Sequence, residues 1–172
     1  MPAPRALSLS RLFLRVLVVA NVLYGLGIVV LLVSTLVAEG PVFRALGVKP
    51  AEGADRMMRG MRLIAVVGLA GVPIGHLILT RLIAIVDTVR AGDPFIIANA
   101  QRLQNIAATL LGIQLLHLVI GFVIARTKSQ VQQLDIDWSF SITPWLVVLL
   151  LFVLARVFEH GARMRADLEG TV

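Results

Sequence analysis

The chain has 172 residues, of which 58% are hydrophobic and 15% charged, with a mean hydropathy of +0.91. Soluble domains carry about 45–50% apolar and about 25% charged residues, so this composition excludes an ordinary water-soluble domain and indicates an integral membrane protein. The net charge of +6 comes from basic residues beside apolar stretches, which favours lipid headgroups over direct contact with nucleic acid, and the absence of cysteine excludes disulfides and thiolate chemistry.

Four long apolar stretches predict four membrane-spanning helices. A helix needs about 20 residues to cross the hydrocarbon core, and it satisfies its own backbone hydrogen bonds there. The first apolar run is longer than the roughly 7–15 residues of a signal-peptide core, so we expect an uncleaved first span. We expect a single transmembrane domain over residues 1–172, with spans at about 12–38, 60–82, 104–126 and 144–162.

The first two spans carry residues that favour helix–helix contact. In the first span, we expect the amide of Asn21 to bond to a neighbouring helix. In the second span, Pro73 predicts a kink. Gly71 and Gly75 form a small-xxx-small pair, which fits tight packing inside the bundle or at a dimer face.

A short, structured connection is predicted between the second and third spans. Gly92 ends the second helix, and Asp93-Pro94 places an N-cap residue before a proline at the first helical position. Asn99 is the alternative cap for the third helix. Phe95 begins a run of three apolar residues, so we expect its ring to pack on an extension of the second or fourth helix and to fix the angle of the connection.

After the third span the pattern changes to a period of two. Leu134 to Ile142 alternates apolar and polar residues, which predicts a strand. An isolated strand leaves its backbone unpaired, so we expect it to form a lid with Val42 to Val48 in the first external loop. Alternatively, it lies flat on the lipid headgroups. The predicted fold is therefore an all-α membrane protein, a four-transmembrane-helix bundle with a small extracytoplasmic β element.

Basic residues predict the orientation. When both termini are cytoplasmic, the cytoplasmic side holds the larger share of arginines, although the bias is small. Arginine also outnumbers lysine, which is typical of a bacterial genome of high GC content. We expect a multi-pass protein of a bacterial inner (plasma) membrane, with the N-terminus and the C-terminus both cytoplasmic.

Five ionisable residues fall in the cytoplasmic half of the predicted spans. Such groups are costly in lipid unless they pair, snorkel or line a wet cavity. One interpretation is a polar cavity that opens to the cytoplasm, with Glu159 paired to Arg15, Arg81 or Arg156. The other is a set of arginines that snorkel near helix ends, one of which neutralises Glu159 for structure alone. The five residues are Arg15, His76, Arg81, Arg156 and Glu159.

The sequence has no recognisable catalytic or cofactor-binding pattern. It lacks a glycine-rich phosphate loop after a strand, a serine nucleophile elbow and an acidic pair at bundle spacing. A metal site would need His76, His117 and His160 to converge, and no HxxxH or HxxE spacing supports one. We therefore expect a protein that is not an enzyme and that binds no cofactor or metal.

Two stretches carry a resemblance to a known family. The first, which we call the elbow, is Gly92 to Leu103 (GDPFIIANAQRL), and the second is Leu154 to Val172 (LARVFEHGARMRADLEGTV). With four spans, they resemble the bacterial membrane proteins of the domain of unknown function 2975, over nearly the whole chain. Members commonly carry a G-x-PF…EN…RLR elbow. This chain differs at Ala98, where an acidic residue is usual, and at Gln104, which is often basic.

The resemblance implies a partner, because genes of this family often neighbour a gene for a small helix-turn-helix regulator. The tail, Arg156 to Leu168, is amphipathic and can dock a partner helix or lie on the headgroups. We expect a non-enzymatic inner-membrane protein that binds or sequesters such a regulator at its cytoplasmic face. The alternative is small-molecule binding or transport through the inner-leaflet polar cavity. The lipid bilayer and a second copy of the chain are further candidate partners. The residues expected to bind the regulator are Asp93, Pro94, Phe95, Asn99, Arg102, Phe158, Arg163 and Arg165.

Overall fold

The computed structural model describes residues 3–37, 54–131 and 141–169. In these ranges the protein is all-helical. The helices are α1 (Ala3–Val37), α2 (Ala54–Arg90), α3 (Ile97–Val131) and α4 (Thr143–Glu169). Each is long and apolar enough to cross a membrane, and between 6% and 17% of its most apolar window is buried. Such extensive exposed apolar surface fits a multi-pass membrane protein, as the four predicted spans require.

The helices are longer than the predicted spans. α2 continues through Pro73 to Arg90, and α3 continues to Val131. The additional turns carry charged and polar residues. A search for apolar spans leaves these residues out, although many of them have a high helix propensity. The bundle arrangement and the single-domain organisation stay predictions.

The predicted external β element is not supported. The described residues contain no strand. The segment Leu134 to Ile142 lies outside them except for its last two residues, and Val42 to Val48 lies wholly outside. Ile142, the end of the alternating pattern, accepts the first bonds of α4 instead, because the N–H groups of Trp145 and Leu146 both donate to its carbonyl at 3.1 Å.

The chain forms two compact units, Met1–Ile83 and Ala84–Val172. In the first unit, α1 packs on α2, and Asn21 Nδ2 donates to the Val72 carbonyl at 3.0 Å. This confirms the predicted interhelical bond. Gly75 makes room for that amide, since a Cβ at position 75 would lie 3.0 Å from Asn21 Oδ1.

Only one member of the predicted small-residue pair lies in this contact. A Cβ at Gly71 would meet nothing within 4 Å, whereas one at Gly68 would lie 3.2 Å from Ile28 Cδ1. Gly68 and Gly75, two turns apart on α2, are therefore the glycines of this region that lie against α1.

In the second unit, α3 packs against α4. The buried residues recur at helical spacing, and on α4 they are Val148, Ala155 and Ala162, each seven residues from the next. Small side chains at an interface let two helix backbones approach closely. On α3 the buried apolar residues are Ala100, Leu103, Ile106 and Ala107.

Candidate functional site

α2 ends at a glycine with left-handed backbone geometry. Gly92 has φ +84°, and its N–H donates to the Val89 carbonyl at 3.1 Å. The N–H of Asp93 donates to the Thr88 carbonyl at 3.0 Å. These two bonds define a Schellman motif, in which a residue with a side chain would be strained at the glycine position. The prediction that Gly92 ends the second helix is confirmed.

Both predicted caps of the third helix are wrong. α3 begins at Ile97, and the N–H groups of Asn99 and Ala100 donate to the Ile96 carbonyl at 3.0 and 3.4 Å. Asp93 lies before the helix, and Asn99 is the third residue inside it. Both side chains make tertiary contacts instead of capping the helix.

Asn99 connects three segments of the second unit. Its side chain is completely buried, and Nδ2 donates to Thr88 Oγ1 at 2.6 Å and to the Pro94 carbonyl at 2.9 Å. Its Oδ1 accepts a bond from Arg102 Nη1 at 2.7 Å. Thr88 in turn donates to the Ile85 carbonyl at 2.7 Å. The amide therefore uses both donor hydrogens and its oxygen to hold the end of α2, the connection and α3 together.

Phe95 packs on α4. Its ring centroid lies 5.3 Å from that of Phe158, with the ring planes tilted by 45°. The ring also covers Gly161, where an added Cβ would lie 2.7 Å from Phe95 Cδ1. The predicted packing of Phe95 on the second or fourth helix is thus confirmed for the fourth. The ring remains 43% exposed.

A second link joins the elbow to the tail. Arg165 Nη1 forms an ion pair with Asp93 Oδ1, and both side chains are partly exposed. Together with the Phe95 contact, this pair attaches the connection between α2 and α3 to α4.

Glu159 has two arginine partners. Its carboxylate accepts a bond from Arg156 Nη1 at 3.0 Å and one from Arg163 Nη2 at 2.5 Å. The sequence predicts Arg156 as a possible ion-pair partner of Glu159, whereas it predicts Arg163 only as a residue that binds the regulator. The spacing of four residues between Glu159 and Arg163 on one helix is the sequence signal that indicates their ion pair. Both arginines are more than half exposed, so these pairs contribute little to stability.

The other three members of the predicted polar cluster belong to the first unit. His76 and Arg81 line a groove between α1 and α2. Arg15 lies exposed on α1. Within the described residues, no group of three histidine or acidic side chains comes together to hold a metal.

A larger groove runs beside the contact between elbow and tail. It has a volume of about 720 Å³, and Phe95, Val157 and Met164 supply its apolar surface. Charged side chains of the tail, among them Arg163, lie at its edge. We call it the elbow–tail groove. A smaller cavity of about 160 Å³ between α3 and α4 is lined in part by Gln101, Gln104, Arg156 and Glu159.

Comparison with known proteins gives one family. No curated protein and no solved structure matches the chain significantly. One family model matches residues 41–172, which include α2, the elbow, α3 and α4 but not α1. The match is thus shorter than the nearly complete coverage that the sequence motifs implied. It covers most of the chain, which therefore belongs to the family described as protein of unknown function (DUF2975).

Proposed function

We propose that this is a non-enzymatic membrane protein that binds a small helix-turn-helix transcription regulator in the elbow–tail groove, at the cytoplasmic face of a bacterial inner membrane. The observation that carries the proposal is the attachment of the elbow to the tail. Asn99, Phe95 and the Asp93–Arg165 pair join segments that are distant in sequence into one surface. Such a surface loses little conformational entropy when a partner binds.

The groove has the chemistry of a helix-docking site. Phe95, Val157 and Met164 are exposed by 43%, 54% and 58%, although all three are large apolar side chains. An amphipathic helix can place its apolar residues between such side chains, with its polar residues toward the charged edge. Small helix-turn-helix regulators are built from helices, and the family resemblance suggests this class of partner.

The predicted partner-binding residues divide into three groups. Phe95, Arg163 and Arg165 are exposed, and of these Phe95 and Arg163 line the groove and are the proposed contacts, whereas Arg165 also pairs with Asp93 beside it. Asn99 is completely buried, and Arg102 bonds to it, so these two residues position the elbow. The other predicted members, Asp93, Pro94 and Phe158, are half-buried where the elbow meets the tail.

Co-purification tests the proposal. The full chain would be expressed with the regulator encoded by the neighbouring gene, extracted in mild detergent and captured through a tag on the membrane protein. Met164→Glu places a charge in the groove and is expected to abolish capture of the regulator, because an apolar contact is replaced by a buried charge. Ala166→Glu is the matched control, since Ala166 is exposed in the same turn but does not line the groove.

Each outcome bears on the proposal. Capture by the original chain and by Ala166→Glu, but not by Met164→Glu, would support it. Absence of capture by the original chain, or equal capture by all three proteins, would contradict it.

A second candidate function is small-molecule binding or transport, favoured by the polar cavity of about 160 Å³ between α3 and α4. Gln104 and Glu159 offer amide and carboxylate groups there to a polar ligand. On this hypothesis, Gln104→Ala and Glu159→Gln would abolish ligand-dependent thermal stabilisation in a metabolite screen, whereas Gln104→Ala would leave capture of the regulator unchanged.

A further inference from the structure

The groove between α1 and α2 differs from the elbow–tail groove in position and in chemistry. It has a volume of about 630 Å³ and lies within the first unit. Its lining becomes more polar along α2 toward Arg81, which we call the polar end. The apolar side chains are those of Val22, Val72, Pro73 and Leu77, and the polar ones are those of His76, Thr80, Arg81 and Asn21, whose amide bonds to the Val72 carbonyl.

The nitrogen donors at the polar end are not used within the protein. In the described part of the chain, neither the imidazole of His76 nor the guanidinium of Arg81 has a hydrogen-bond or ion-pair partner. By contrast, Arg102, Arg156 and Arg163 each bond to a side chain of the second unit. The α1–α2 groove therefore offers one fixed positive charge and an imidazole donor to a molecule from outside.

The depth of these groups selects the class of molecule. Arg81 lies at the end of the predicted span of about 60–82, where its long side chain can reach the lipid phosphates. His76 lies about 7.5 Å closer to the membrane centre than Arg81, on the acyl-chain side of the phosphates. The apolar lining at Val72 and Pro73 continues toward the hydrocarbon core.

We propose that the α1–α2 groove binds one anionic phospholipid. Arg81 binds the phosphate, His76 donates to an ester carbonyl, and an acyl chain lies along Val22, Val72 and Pro73. A guanidinium matches the geometry of a phosphate, and basic pockets between membrane helices bind lipid headgroups. A lipid without a cation in its headgroup is preferred, because nothing in that headgroup competes with Arg81 for the phosphate. This inference is independent of the proposed regulator binding.

Lipid titration of the purified full chain tests the proposal. Thermal stability in detergent and native mass spectrometry would be measured with phosphatidylglycerol, phosphatidylcholine and inorganic phosphate. We expect phosphatidylglycerol to bind and stabilise, phosphatidylcholine to do so more weakly, and inorganic phosphate to have no effect. Arg81→Gln should lower the affinity for phosphatidylglycerol about tenfold, since a charge-assisted bond is lost.

Two further variants complete the test. Arg90→Gln removes the same charge from the exposed end of α2, away from the groove, and should keep the lipid preference. Val22→Trp fills the apolar part while Arg81 stays in place, and it should also weaken binding. If Arg81→Gln does not fold, Val22→Trp tests the lipid-binding proposal by itself. Val22 is 53% exposed, so this position tolerates a larger side chain.

Several results would overturn the proposal. Equal stabilisation by the two lipids would show only unselective lipid contact. Stabilisation by inorganic phosphate alone would show a site for a free anion. The same loss of lipid preference in Arg90→Gln as in Arg81→Gln, or unchanged binding by Val22→Trp, would place the lipid elsewhere.

Discussion

Asn99 is the residue on which the elbow depends most. It lies in the first turn of α3, where the side-chain amide of an asparagine commonly faces solvent or bonds to nearby backbone groups. Here the amide is completely buried and has three partners, at Thr88, Pro94 and Arg102. Since each bond reaches a different segment, loss of this side chain would loosen the whole connection and not only the start of one helix.

We expect Asn99→Asp to lower the melting temperature of the detergent-purified protein. The substitution keeps the shape and the acceptor for Arg102, but it removes the N–H donors to Thr88 and Pro94. A buried polar group left without its partner costs about 1–3 kcal/mol. Asn105→Asp, at an exposed position of the same helix, is the control. Equal melting of Asn99→Asp and the original chain would show that the network does not stabilise the elbow.

At the level of elements, the contact between α3 and α4 depends on small residues. Ala155 and Ala162 are both 6% exposed and lie two turns apart on α4. Gly161 is beside them under the ring of Phe95. Small side chains on this face let the backbones of the two helices approach closely.

Ala162→Leu should destabilise the pair of helices. Ala162 does not line the cavity between α3 and α4, so the added atoms have to displace neighbouring residues, and overpacking of a well-packed contact costs about 1–3 kcal/mol. Val147→Leu adds a methylene to an exposed position of the same helix and should have no measurable effect. Thermal melting in detergent compares the two variants, and an unchanged melting temperature for Ala162→Leu would mean that this part of α4 is loosely packed.

Helix caps show why local rules were insufficient for the elbow. Asp93 and Asn99 both have the chemistry of an N-cap, and a proline follows Asp93 as it often does at a helix start. In the folded chain, Asp93 pairs with Arg165, which is 72 residues away, and Asn99 pairs with Thr88. Tertiary partners therefore compete with capping, and a cap rule that considers only neighbouring residues does not include them.

For the whole molecule, the arrangement of charges predicts the topology. We expect a reporter that is active only outside the cytoplasm to be active when fused after Gln130 and inactive when fused after Gly92 or Val172. The elbow and the C-terminus would then share the cytoplasmic side, which regulator binding requires. Activity of the Val172 fusion would reverse the orientation and would contradict the proposed function.

Local composition was enough to predict several features of this protein. The number of membrane-length helices follows from apolar runs, because lipid admits only segments that satisfy their own backbone hydrogen bonds. The end of α2 at Gly92 follows from a backbone geometry that glycine adopts without strain. The bond of Asn21 to a neighbouring helix follows from the cost of an unpaired amide in an apolar span.

Tertiary structure decided which side chains meet. Phe95 packs over Gly161, and Asp93 pairs with Arg165, both within the second unit. An alternating pattern also predicted a strand, yet its last residue, Ile142, directly precedes α4 and accepts the first hydrogen bonds of that helix. The physical reason is the same in each case. Periodicity and composition describe what a segment tends to form, whereas a contact depends on the distance between groups that are far apart in the chain, and folding alone sets that distance.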